Sequence, residues 1–479
     1  MMKTGKFKLL TTIEILLILI ILLTGCIGGP EDGSEKKNDD NKSGKDQINY
    51  IDINLTSKST GVPNGKLAVR VQIPDTNNIR FKNGAPVIIY VEGGFEADGL
   101  PNKKIPNLDD MIVITFICPG GENKVQKTKS DGEYDYRGEK SIEALRDIIM
   151  YAAGKLNDSV GRTIDELIEY NILHENIGVI GFSFGGNLGI ATAAIHGKSI
   201  AQDLKYVIQW ETPISSQIAT RDLGRMLFRP QEKGGSVQSE YFNPRYMSYG
   251  PLSININYSD IAYDPNSLYT IFHDGNDDGI YTTTKGSYYN YPTPDLNDNN
   301  ELELNEDYGL DTYPYSTYDT NGKRVYSRPV TIALKKDNVF KGSWPSNIAT
   351  LEEANKYWDI RESVVLYEDA LKNIPELEGM YLLSIRDHVQ SDPYKSHAHQ
   401  AFDGWTKYAK WFKINPDPKY IIEVNSTFDD ESIFIPNQKP NTAPNDWEDT
   451  KSYCIPELIT DETYQIAAIH QMADRVHSA

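Results

Sequence analysis

Four short, continuously apolar runs constrain this chain more than anything else in it: Pro86 to Val91 (PVIIYV), Met111 to Ile117 (MIVITFI), Ile177 to Gly181 (IGVIG) and Tyr206 to Trp210 (YVIQW). A strand that is apolar on both sides has to be covered on both sides, which is the condition of a parallel sheet flanked by helices. Between the second and third runs lies Ser141 to Leu156, where Ile142, Leu145, Ile148, Ile149 and Ala152 recur at helical spacing. A crossover helix there makes those two strands parallel. Two earlier segments, Ile51 to Leu55 and Lys66 to Ile73, alternate well enough to pair as antiparallel strands. The expected class is α/β with a mostly parallel central sheet.

The rhythm stops after Glu211, and roughly 160 residues rich in Tyr, Asp, Asn, Pro and Gly follow. It then resumes: Tyr367 to Ile374 reads as helix, Met380 to Ile385 as strand, His399 to Phe412 as helix, Tyr420 to Val424 as strand and Asp461 to Val476 as a last helix. With 479 residues, the chain exceeds one typical domain. The pattern predicts a core made of 48–214 and 375–479, interrupted by an insertion over 215–374. Within the insertion, YDTNGKRVY around Asn321-Gly322 predicts a hairpin turn. The many tyrosines there suit a packed lid or a carbohydrate- or peptide-facing surface, and core packing equally well.

At the start, Lys3, Lys6 and Lys8 precede the apolar run Ile15 to Leu23, which Thr24-Gly25-Cys26 follows. The run is short for a membrane span, and its layout is that of a secretory signal, residues 1–26. Leu23-Thr24-Gly25-Cys26 resembles the lipobox of prokaryotic lipoproteins, which implies that Cys26 is lipidated and anchors the protein to the outer face of the cell membrane. Residues 27–47 are almost purely polar and predict a solvated tether. Two further cysteines, Cys118 and Cys454, could pair in an exported protein. A formal net charge of −20 excludes a nucleic-acid partner and suits a surface that takes up cations.

The third apolar run feeds Gly181-Phe182-Ser183-Phe184-Gly185 and then a helix-like segment, Asn187 to Ile195. A buried strand, a serine flanked by glycines two residues away on either side, and a helix are what a nucleophile elbow requires. In strand order and motif, residues 48 to 214 and 375 to 479 resemble the α/β-hydrolase superfamily, in its dienelactone hydrolase and prolyl-oligopeptidase-like part. The resemblance implies an α/β-hydrolase fold with a large loop-rich insertion after strand 6. It also implies a Ser183 acyl-enzyme, and an oxyanion hole made by the Phe184 amide and by the loop in YVEGGF, with Gly94 and Phe95. Glu92 stands where relatives usually carry histidine.

The family's acid follows the strand Met380 to Ile385, which marks Asp387; its histidine follows the next strand, and no histidine lies between residues 400 and 469. Two repairs are open: Asp387 as acid with His397 or His399 as base, or His388 as base with Glu211 as acid. His388 is preferred, because it is nearest the strand's carboxyl end, where ligands bind in open α/β sheets. The expected activity is that of a serine hydrolase on a small ester or peptide-like substrate. The rival is an inactive hydrolase fold binding a cell-surface ligand through the Tyr-rich insertion.

One further pattern lies in the insertion. Asp295, Asn297, Asn299, Glu303 and Glu306, with the backbone carbonyl of Glu301, reproduce the spacing of an EF-hand calcium loop. Asn300 occupies the glycine position and tolerates its left-handed backbone. Asp274, Asn276 and Asp278 begin a second, incomplete loop that ends on Lys285. The expected cofactor is structural Ca2+.

Overall fold

The computed structural model describes residues 49–75, 77–94, 108–216, 261–266, 270–271, 317–385, 387, 389, 395–429, 438–447 and 449–478, together with the backbone of a few short strands between 228 and 295. Its centre is an eight-stranded sheet. Numbered within that sheet, the strands are β1 (Asn49–Thr56), β2 (Lys66–Ile73), β3 (Ala85–Val91), β4 (Ile112–Phe116), β5 (Ile172–Phe182), β6 (Leu204–Trp210), β7 (Glu378–Leu382) and β8 (Phe412–Ile414), in the spatial order β1-β2-β4-β3-β5-β6-β7-β8. Only β2 runs against the rest: it pairs antiparallel with both β1 and β4, and every other neighbouring pair is parallel.

The apolar strands divide their side chains between two cores, as a period of two demands. Val87, Ile89 and Val91 of β3, Val179 of β5, Val207 of β6 and Tyr381 of β7 face one core. That core is covered by α1 (Glu139–Ala152), α2 (Phe184–Ile200), α5 (Ser363–Asn373) and α6 (Ser396–Thr406). Ile88, Ile180, Ile208, Met380 and Leu382 face the other, covered by α7 (Pro418–Val424) and α8 (Asp461–Ser478). This arrangement is the α/β-hydrolase fold.

Two expectations need correction, and one open question is answered. Tyr420 to Val424 is not a strand but part of helix α7: Asp417-Pro418 starts a helix, proline being pre-organised for its first turn, and Tyr420 and Ile421 are its buried residues. The last strand is instead β8, which the sequence reading placed at the end of a helix. Cys118 and Cys454 are free thiols, each buried in the core.

Toward the end of the insertion after β6, the described residues carry more regular structure than the composition suggests. The predicted hairpin forms, with Thr317–Tyr318 paired to Arg324–Val325 and Gly322 at φ 75°. Two helices that periodicity did not reveal follow, α3 (Arg328–Lys336) and α4 (Leu351–Trp358). Ile261, Ile271, Tyr326, Val330, Leu334 and Ile348 form a small core of the insertion's own. At its stem, the Glu362 carboxylate accepts from the Ser216 amide (2.6 Å) and from Arg328 Nε (3.0 Å), which ties the two ends of the insertion together.

Candidate active site

Ser183 sits between the end of β5 and the start of α2 with φ 48° and ψ −123°, and its side chain is 4% exposed. A residue with a Cβ avoids that backbone region, so the surroundings must impose it. Part of the constraint is visible: the Ser183 amide donates to the Trp210 carbonyl at 2.7 Å, holding the turn onto the end of β6. Gly185 supplies another part, since a Cβ there would lie 2.5 Å from the Glu92 carbonyl oxygen and 2.6 Å from that of Val91. Only glycine lets the elbow close against the end of β3.

The loop after β3 reaches the serine. A Cβ on Gly93 would lie 3.1 Å from the Ser183 Cβ, and Gly94 is buried at φ 67°, a conformation glycine adopts without strain. Phe95 lies outside the described residues. Phe184 heads α2, and its ring packs near Trp358 of the insertion, 6.3 Å between centroids. The sequence reading missed Arg137, a buried guanidinium that donates to the carbonyls of Glu92 (2.9 Å) and Gly93 (3.2 Å).

On the other side of the elbow, β6 ends in Trp210 and turns at Glu211, which is buried and has φ 45°. The Glu211 amide donates to the Leu382 carbonyl (2.9 Å), and its carboxylate accepts from Ser384 Oγ (2.6 Å) and the Tyr464 hydroxyl (3.2 Å). Asp387, also buried, accepts from the Val389 amide at 2.8 Å. Ser384 links the two acids: beside its bond to Glu211, its carbonyl accepts from the Asp387 amide (3.2 Å), and it pairs with Ile455, the neighbour of Cys454. Lys395 Nζ donates to the next carbonyl, that of Ile385, at 3.5 Å. Both acid candidates and a buried lysine therefore border one region, beside the ends of β6 and β7. Lys395, Ser384, Tyr464 and Cys454 carried no motif that sequence inspection could single out.

Topology sorts the histidines. Ser183 lies at the carboxyl ends of the parallel strands. His470 contacts Asp110 just before β4, His477 stacks on Phe81 just before β3, and His174 lies near the start of β5 and bonds Asp165; all three are at the opposite end. His196 lies in the last turns of α2, which runs away from the serine. His397 and His399 follow β7, on the serine's end. His397 is fully buried, and desolvation pushes its pKa down to about 3. His399 stacks on Trp447 (4.2 Å between centroids) with Nε2 4.0 Å from Asp403. His388 lies outside the described residues.

At the position after the last strand, where the family's histidine is expected, stands Asn415, buried and at φ 61°. Its amide accepts from the Leu383 N–H (2.8 Å) and donates to the carbonyls of Leu383 (3.0 Å) and Tyr453 (2.8 Å).

Of the calcium candidates, Asp274, Asn276, Asp278, Asn297, Asn299, Glu301, Glu303 and Glu306 lie outside the described residues, as does Cys26. Asp295 ends a strand, Pro292–Asp295, that pairs antiparallel with Thr282–Lys285, with Thr282 opposite Asp295. Among the described residues, no cluster of three or more His, Cys, Asp or Glu is arranged to hold a metal ion, and no helix is long and apolar enough to cross a membrane.

No family model matches the chain, and no curated protein matches it. Solved structures do. An esterase from the archaeon Pyrobaculum calidifontis is similar at 17% identity and TM-score 0.25, over 36% of this chain and 48% of the esterase. Brefeldin A esterase, a bacterial homologue of human hormone-sensitive lipase, is similar at 15% identity and TM-score 0.26, over 38% and 44%. The α/β hydrolase GrgF from Penicillium sp. sh18 is similar at 11% identity and TM-score 0.32, over 77% of this chain and 89% of its own. The chain spans about half the length of the esterases it matches. The fold of this chain is read from its own strand order, and its chemistry from its own residues.

Proposed function

We propose that the protein is a serine hydrolase of small ester or peptide-like substrates, with Ser183 as nucleophile and His388 as base. The observation that carries this reading is the Ser183 backbone, φ 48° and ψ −123°, on the turn between a buried parallel strand and a helix. Such strain persists where the surroundings enforce it, and here it sets a hydroxyl at the strands' carboxyl ends beside a glycine loop. His388 is supported by its place directly after β7: among the described histidine side chains, His174, His470 and His477 are at the wrong end of the sheet, His196 lies in the last turns of α2, His399 is stacked and His397 is buried and held neutral. Glu211 and Asp387 both border the region after β7, and either can orient the base.

In this reading the base takes the Ser183 proton as Oγ attacks the acyl carbon, and the carbonyl electrons move onto an oxygen held by the Phe184 amide and an amide of the 93–95 loop. The base returns the proton to the leaving group, and water, deprotonated in turn by the base, releases the acid and regenerates the serine. Lipidation at Cys26 would hold the enzyme on the outer face of a membrane, and calcium on the 295–306 loop would brace the insertion.

The test is labelling of the full-length protein by a fluorophosphonate probe, beside Ser183→Ala, His388→Ala, Glu211→Gln and Asp387→Asn. Labelling lost with Ser183 and His388, and with one of the two acids, is the expected result. Asn415 in place of the family's histidine favours a second reading, a hydrolase fold that binds a cell-surface ligand without turnover. A folded protein that takes no label would overturn the hydrolase reading and leave the second.

A further inference from the structure

The peptide planes of the 92–94 loop are held from behind by a buried guanidinium. Arg137 is 4% exposed; its Nη2 donates to the Glu92 and Gly93 carbonyls, and its Nη1 lies 3.2 Å from the Cys118 sulfur. In a planar trans peptide the carbonyl and the following amide point in opposite directions. Carbonyls of residues 92 and 93 turned toward Arg137 therefore turn the amides of Gly93 and Gly94 away from it. Those amides belong to the loop that abuts Ser183.

Arg137 is itself held in an unfavourable conformation. Tyr136 and Arg137 are consecutive left-handed residues, at φ 53° and 62°. A second guanidinium, Arg361, clamps them: its Nε donates to the Tyr136 carbonyl (2.8 Å), its Nη2 to the Asp135 carbonyl (2.7 Å) and its Nη1 to the Tyr357 carbonyl (2.8 Å). Its plane also lies 3.7 Å above the Tyr357 ring. Arg361 follows α4 in the insertion, and Trp358 of the same helix shares a buried apolar cluster with Phe184. Both donors of the proposed oxyanion hole are thus backed by one segment of the insertion, Phe184 through Trp358 and the glycine loop through Arg361 and Arg137.

We infer that Arg137 is a positioning residue for the oxyanion hole and Arg361 its anchor, so that docking of the insertion sets the rate of hydrolysis through two guanidinium groups in series. This role rests on the serine-hydrolase reading. Neither residue touches the reacting atoms; each acts by fixing peptide planes, and a planar fork that bridges two carbonyls is a task an ammonium performs poorly.

The experiment compares wild-type full-length protein with Arg137→Ala, Arg137→Lys and Arg361→Ala. Hydrolysis of p-nitrophenyl acetate is normalised to sites titrated with a fluorophosphonate, with and without sub-denaturing guanidinium. Arg137→Ala is expected to lose about a hundredfold in kcat per titrated site, because a misplaced donor costs that much, with KM within about threefold. Guanidinium restores part of the loss, Arg137→Lys falls between, and Arg361→Ala loses about tenfold in kcat. Variants that melt lower but keep wild-type kcat per titrated site would overturn the role and leave Arg137 merely structural. Wild-type protein that neither labels nor turns over would overturn the hydrolase reading and this role with it; a labelled, active wild type with normal Arg137→Ala overturns this role alone.

Discussion

Replacing Ser183 by glycine should abolish labelling and at the same time make the protein more stable than the alanine variant does. The serine holds φ 48° and ψ −123°, a conformation that costs a residue with a Cβ about 1–3 kcal/mol. Alanine keeps the Cβ and the cost. Glycine enters the region freely, while its greater freedom in the unfolded chain takes back about 0.4–1 kcal/mol. The balance is a gain of about 1 kcal/mol for glycine over alanine, opposite in sign to the usual effect of that exchange. Unfolding entropy scales at about 2.1 cal/mol/K per residue, so in a chain this long the gain corresponds to about 1 °C in melting temperature. Differential scanning fluorimetry on the two full-length variants, run side by side, resolves such a difference. A glycine variant that melts below the alanine variant would refute the argument that the elbow stores strain at this residue, and would remove the main support for a nucleophile there.

Gly185→Ala places a Cβ against the Glu92 and Val91 carbonyls; it is expected to lower stability by about 1–3 kcal/mol and to slow labelling at least tenfold, read by melting and by probe kinetics. His397 gives an acid-side signature: burial holds its folded-state pKa near 3, below an unfolded value of about 6.5, so the unfolded chain takes the proton first as pH falls. Its contribution is full above about pH 6.5 and declines between there and pH 3, by roughly 3 kcal/mol at pH 4.5; His397→Gln should flatten the fall in melting temperature between pH 7.5 and 4.5. Arg80 bridges Asp474, Asp110 and Glu423 at the amino ends of the strands, and Arg80→Ala, which leaves Asp110 and Glu423 to His470 and Asp474 to solvent, should cost about 1–3 kcal/mol in thermal unfolding while leaving the rate of Ser183 labelling unchanged. Chelation by EGTA should lower the melting temperature of the full-length protein, and a combined Asp295→Asn and Glu306→Gln variant should show no such response.

The sheet was legible because its strands are buried on both faces: PVIIYV and IGVIG admit no other placement, and they emerged as β3 and part of β5. The elbow was legible because its glycines answer to backbone contacts, which leave a fixed spacing in sequence. Two features misled. Tyr420 to Val424 is apolar enough for a strand, yet Asp417-Pro418 ahead of it is a helix start, and the three-residue β8 is too short to show a period. Helix α4 was overlooked although Thr350 and Glu353 form a capping box, with the Glu353 amide donating to Thr350 Oγ1 at 3.3 Å and the Thr350 amide donating to Glu353 at 2.8 Å. The polar partners of the site were illegible for a different reason. Arg137, Arg361 and Lys395 act on backbone carbonyls or neighbouring charges brought together only by tertiary structure, and such pairings have no sequence period.

Asn415 bears on what a single mutation can reach. Its side-chain amide stands just past the last strand and does the work of a missing stretch of ladder, binding Leu383 on both its N–H and its C=O and reaching Tyr453 as well. An imidazole cannot reproduce that donor and acceptor set, and each buried backbone group it left unpaired would cost about 1–3 kcal/mol. A histidine appearing at this site would therefore damage the fold before it could serve a reaction. The amide that finishes the sheet closes this position to an imidazole.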